Sequence, residues 1–141
     1  MTARQYLLQL HSLTGKLWKL HEEIERRRAR LESTTISLKL DRVQSSTKGD
    51  SMADGVADLA DKERNYEDML WEYDQMRKHI VLQILELEPE TYSTLLYKVY
   101  VEQKMLKVAA SEMYYSESYF SVLHGKALAA FAAKYPEILN I

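Results

Sequence analysis

Ser116, Ser118, Tyr119 and Ser121 lie close together in the chain, and Lys126 follows them. Hydroxyls at that spacing can donate hydrogen bonds to phosphate oxygens and a nearby lysine adds positive charge, so the chemistry within reach is contact with a polyanion such as double-stranded DNA. Glu117 and Val122 share the same stretch. Base edges are read mainly by Arg, Lys, Asn and Gln. None of residues 117, 118, 119, 121 and 122 is basic or an amide, so charge for gripping phosphates is thin.

Other chemistry is weakly supplied. The chain has no Cys, which excludes disulfides, thiolate metal sites and a thiol nucleophile. His11, His21, His79 and His124 show no pairing four residues apart and no ligand frame, so no metal site is expected. There is no glycine-rich phosphate cradle and no nucleophile-base motif, and the carboxylates fall on exposed helical faces. Neither an enzyme nor a cofactor is expected.

The elements that must position residues 116–126 are two helices meeting at a sharp angle. Such a pair needs a small residue where the second helix crosses the first and an apolar residue about ten positions later, and Ala110 and Phe120 stand at those places. Met113 can fill the space under the turn. Ser116 can cap the second helix by accepting from the free N–H groups of its first turn. The pattern fits a helix-turn-helix, and on periodicity alone it fits an ordinary helical hairpin equally well.

Upstream, Tyr6, Leu10, Leu13, Leu17, Leu20, Ile24 and Leu31 step by threes and fours, interrupted by Arg27; Val56, Leu59, Tyr66, Leu70, Tyr73, Ile80, Ile84 and Leu87 do likewise, interrupted by Glu63 and Arg77. Both stripes are coiled-coil seams. Charge divides along the chain: residues 1–50 hold ten Lys or Arg against six Asp or Glu, net +4, residues 51–90 four against eleven, net −7, and residues 91–141 five against four, net +1. A basic helix and an acidic helix complement each other, which predicts an antiparallel coiled-coil-like hairpin of residues 5–32 against 52–87. A parallel homodimer through either seam is the rival arrangement. The expected class is all-α, with a hairpin domain over 1–87, a polar linker at 33–51, and a helix-turn-helix domain over 88–141.

Arg26, Arg27, Arg28 and Arg30 could hold phosphates, but on a paired helix such a run more often meets Glu residues across the seam. Trp18 and Trp71 read as core or partner-facing anchors. Of the aromatics around the turn, Tyr114, Tyr115 and Tyr119 cannot all point inward, so some are available to a partner. After Gly125 the apolar positions Leu128, Phe131, Ala132 and Tyr135 continue a helix to Pro136. With no apolar run near the roughly 20 residues that span a bilayer and no signal-peptide layout, a cytoplasmic protein without membrane contact is expected.

A resemblance sharpens these expectations. The residues Leu87-x-Pro89, Leu95-Leu96, Tyr97-x-x-Tyr100-Val101, Ala110-x-Glu112-Met113-x-Tyr115-Ser116 and Leu123-His124-Gly125-Lys126-Ala127-Leu128 resemble region 4 of bacterial sigma factors. More closely, the chain is similar to small phage and prophage proteins of Gram-positive bacteria related to the RinA and ArpU late-transcription activators. Asp41-Arg42-Val43-Gln44-Ser45-Ser46, with Asp50 after it, resembles the linker motif of that family. The resemblance implies a transcription regulator in a bacterial host cell that meets promoter DNA through Ser116, Glu117, Ser118, Tyr119, Ser121, Val122 and Lys126. It implies host RNA polymerase as a second partner, with Arg42, Gln44, Ser45, Tyr114 and Tyr115 as partner-binding residues. The chain departs from the pattern where Tyr114 replaces the usual turn glycine, implying a distorted turn, and where Met105 and Val108 replace a capping box. These departures and the nonbasic face favour the alternative, a helical adaptor or inhibitor that binds no DNA.

Overall fold

The computed structural model describes residues 1–40 and 46–139, so Arg42, Gln44 and Ser45 lie outside the described residues. Among the described residues every regular element is helical, as the scarcity of Gly and Pro implies. The helices are α1 (Ala3–Leu7), α2 (Gln9–Leu40), α3 (Ser46–Leu85), α4 (Glu90–Leu96), which runs on as a π-helical turn over Tyr97–Val101, α5 (Leu106–Glu112), α6 (Glu117–Lys134) and α7 (Pro136–Leu139). Among the described residues, no helix is long and apolar enough to cross a membrane.

Two compact units divide the chain, residues 14–72 and residues 1–13 with 73–141. The division falls inside α2 and α3 rather than at residue 87. Leu7, Leu10, Ile80 and Ile84 are fully buried in the same core as Leu95, Tyr100, Phe120 and Phe131, and that shared burial ties residues 1–13 and 73–87 to the C-terminal helices.

In the unit of residues 14–72, the α3 partners fall from Tyr66 to Gly55 as their α2 partners rise from His21 to Leu31. Arg28 bonds Glu63 at 2.9 Å and Arg27 bonds Asp58 at 2.6 Å. The His21 and Tyr66 rings lie 6.0 Å apart. The two stretches therefore run antiparallel. Arg27 and Arg28 are engaged across to α3 and Arg26 pairs with Glu23, so three members of the arginine run meet acidic neighbours rather than standing free for phosphates. Gly55 leaves room for the Leu31 side chain, since a Cβ there would come within 2.9 Å of Leu31 Cδ2.

The α2 seam is used largely as its spacing predicts, with Leu17 and Ile24 buried. The α3 stripe shifts. Val56 and Leu70 are exposed, and Met69, one turn from both Tyr66 and Tyr73, is half-buried in place of Leu70. At 3.6 residues per turn Met69 and Leu70 lie on opposite sides of the line joining Tyr66 and Tyr73, and the side turned toward α2 is that of Met69. Trp18 and Trp71 are exposed, so neither is core.

In the second unit Thr2 and Gln5 form a reciprocal capping box at the start of α1. The Tyr6 and Phe131 rings stack at 6.0 Å and Phe131 meets Tyr135 at 4.9 Å. Gln83 of α3 is gripped from both sides: Tyr6 donates to its Oε1 at 2.6 Å and Tyr135 to its backbone carbonyl at 2.8 Å. These bonds hold α1 and the residue after α6 against α3. The π-helical turn buries Val99, Tyr100 and Val101 in succession, more consecutive residues than one face of an α-helix turns inward.

Tyr100 and His124 join this turn to α6, with the hydroxyl 2.7 Å from His124 Nε2 and the rings stacked at 5.7 Å. Burial, and then the charge of Arg4, hold the His124 pKa below its ordinary value. The folded state thus prefers neutral imidazole, and the unfolded chain takes up the proton first as pH falls. The contribution is fully present above the unfolded pKa of about 6.5 and is lost as pH drops from there through the folded value. Thermal melts between about pH 7 and 5 should show Tm falling in the wild type and a flatter profile in His124→Phe. Equal slopes would show that other groups govern this range.

Candidate nucleic-acid interface

Helices α5 and α6 and the turn between them bring the candidate contacts together. Met105 makes no side-chain cap bond, so α5 begins uncapped, as Met105 and Val108 predict. Its end is closed by two backbone bonds: Tyr114 N–H donates to the Ser111 carbonyl at 3.1 Å and Tyr115 N–H to the Ala110 carbonyl at 3.0 Å. That pair is the Schellman closure, which needs a left-handed residue at its bend. Tyr114 supplies it at φ 61°. The turn therefore keeps the shape that glycine usually permits, and the departure expected there is strain at one residue rather than a distorted turn.

Tyr114 is 95% exposed, so no packing within the chain offsets that strain. A non-glycine residue in this region costs on the order of 1–3 kcal/mol, of which glycine's own entropy loss returns about 0.5–1. Tyr114→Gly should raise folding stability by about 1 kcal/mol in urea titrations. An unchanged or lower stability would show that the ring or backbone is supported in solution.

Below the turn Ala109, Ala110 and Phe120 are buried and Met113 packs half-buried against the same core. Ser116 Oγ accepts from Tyr119 N–H at 3.2 Å and starts α6. The cap uses the oxygen as acceptor and leaves the hydroxyl proton free to donate. Glu117, Ser118, Ser121, Val122 and Lys126 are all exposed on α6. Tyr119 is exposed with its ring edge-on to Tyr115 at 5.3 Å. Tyr114 and Tyr115, grouped in sequence as partner contacts, separate: Tyr114 faces solvent and Tyr115 is half-buried against the core.

Sequence reasoning passed over the start of α5. A cleft of about 160 Å³ lies between the two helices, lined by Leu106, Lys107, Glu117, Phe120 and Ser121. Met105, Leu106 and Val108 are exposed around Lys107. The signal for Lys107 and Val108 was present in Ala109 and Ala110: once these are turned inward, those two positions face out.

The local charge is further reduced by an ion-pair cluster behind the turn. Glu112 receives Lys98 at 2.9 Å and Lys104 at 2.7 Å, and Lys104 also meets Glu102 at 2.9 Å. The two lysines hold the Glu112 carboxyl below its ordinary pKa. With Lys98 and Lys104 so engaged, Lys107, Lys126 and Lys134 are the exposed cations of α5 and α6 that make no ion pair, and of these Lys134 donates to the Glu86 carbonyl. Among the described residues no group of His, Cys, Asp and Glu could hold a metal ion.

No family model, no curated protein and no solved structure matches the chain.

Proposed function

We propose that this chain is a phage-encoded transcription regulator whose α5–α6 unit is a sigma-region-4-like helix-turn-helix that binds promoter DNA together with host RNA polymerase. The observation that carries the reading is the closed turn: Ala110 beneath Phe120, the Schellman bonds at Tyr114 and Tyr115, and the Ser116 cap together leave one face of α6 free of the core. In this proposal Ser118, Tyr119 and Ser121 donate to phosphate oxygens and Lys107 and Lys126 supply the charge. Glu117 and Val122 lie on the same face and weaken nonspecific grip. DNA affinity is therefore modest without a second protein. The phage assignment and the polymerase rest on the resemblance in the Ala110–Leu128 pattern.

One observation favours a second reading. Met105, Leu106, Val108, Tyr114 and Val122 make the surroundings of the turn more apolar than a phosphate-binding face requires, and such a surface suits a protein groove. Selection of sheared phage and host DNA on the purified protein, at about 50 and 200 mM salt, separates the two. Retention of one locus at the higher salt supports the regulator. Absence of any retention at the lower salt, with and without added host polymerase, supports the adaptor or inhibitor.

A further inference from the structure

Leu82 and Leu85, one turn apart on α3, are each 62% exposed although the opposite face of the same helix is buried through Ile80 and Ile84. Beside Leu85 opens a groove of about 520 Å³ lined by Val81, Glu90, Ser93, Thr94 and Tyr97. The charges next to the leucines divide by side: exposed Lys78 precedes them by one turn, with Asp74 a further turn back, and exposed Glu86, Glu88 and Glu90 follow beyond the end of α3. We propose that this face of α3 is a self-association surface and that its occupant is a second copy of the same chain, packed antiparallel about a two-fold axis between Leu82 and Leu85.

The charge order decides the occupant and its direction. In an isologous pair the same patch meets itself, so it must be self-complementary. An antiparallel crossing sets Leu82 of each copy against Leu85 of the other. Lys78 lies one turn before Leu82 and the acidic residues begin at Glu86, just past the end of α3 at Leu85, so each copy's Lys78 approaches the other's acidic run. A parallel crossing would stack glutamates on glutamates. The groove beside Leu85 then accepts the facing copy's leucine. The α2 seam is no competitor for this role, because Leu13, Leu17 and Ile24 are already covered within the chain. The patch is small against the roughly 800 Å² per partner of a stable interface, so the pairing is weak and reversible.

Sedimentation velocity on the full chain tests this at about 1 and 100 μM, a range that spans weak association. The wild type should shift from monomer toward dimer across that range. Leu82→Glu with Leu85→Glu, both exposed positions, should remain monomeric with unchanged circular dichroism. Lys78→Glu should weaken pairing several-fold, and Glu88→Lys added in the same chain should restore it. A wild type that stays monomeric at the higher concentration overturns the proposal. So does a dimer that neither the leucine pair nor the charge reversal affects. DNA binding through α5–α6 is read separately, so failure of one does not carry the other with it.

Discussion

Phe120→Ala lowers folding stability by about 3–5 kcal/mol in chemical denaturation. The ring is 1% exposed and sits with Ala109, Ala110 and Leu123 in the core shared by α5 and α6. Removing it leaves a cavity that two short-side-chain neighbours cannot fill, since Ala109 and Ala110 have no rotamers with which to collapse into it. Against a domain stability of roughly 5–15 kcal/mol, that is a large fraction of the whole. Tyr119→Ala, on the adjacent exposed position, should cost under about 1 kcal/mol because its ring meets mainly Tyr115. Comparable losses for the two would mean that the α5–α6 crossing is not where the packing resides.

Lys107→Ala with Lys126→Ala nearly abolishes the salt dependence of DNA binding. Each phosphate neutralised on duplex DNA contributes a slope of about −0.9 in log affinity against log salt, so two lysines per chain give about −1.8. Raising salt fourfold then weakens the wild type by about tenfold, far less than the 10³–10⁵ lost by proteins with six to ten such contacts. The double variant should show a slope near zero, measured by fluorescence anisotropy on the selected duplex. A wild-type slope near −6 would implicate cations elsewhere and contradict the assignment of charge to Lys107 and Lys126. Lys98 and Lys104 are expected to contribute little, because moving either to a phosphate breaks a bond to Glu112.

The parts of the fold legible in the sequence are those set by local rules. Ser116 has the hydroxyl and the position for a cap, and it caps; Ala110 and Phe120 differ in size as a crossing requires, and both are buried. The seam of α2 follows a period short enough to read directly. What local rules could not supply was the bookkeeping between distant segments. Nothing around Leu10 or Ile84 says that they share a core with Phe131 rather than with the rest of their own long helices. Leu70 fits the heptad as well as Met69 does, and only the helix's orientation against α2 separates them. At the candidate site, Tyr114 was legible as a departure but not as a left-handed residue, because that depends on the backbone bonds from Tyr114 and Tyr115. Lys107 was missed because its exposure follows from the burial of Ala109 and Ala110.

Titration of the selected duplex into ¹⁵N-labelled protein tests the central claim most directly, since it reports which backbone amides meet DNA. The account predicts shifts confined to Lys107, the segment 116–122 and Lys126, with residues of the 14–72 unit unmoved. Shifts centred on Arg26–Arg30, or none on α6 at saturating DNA, would contradict it.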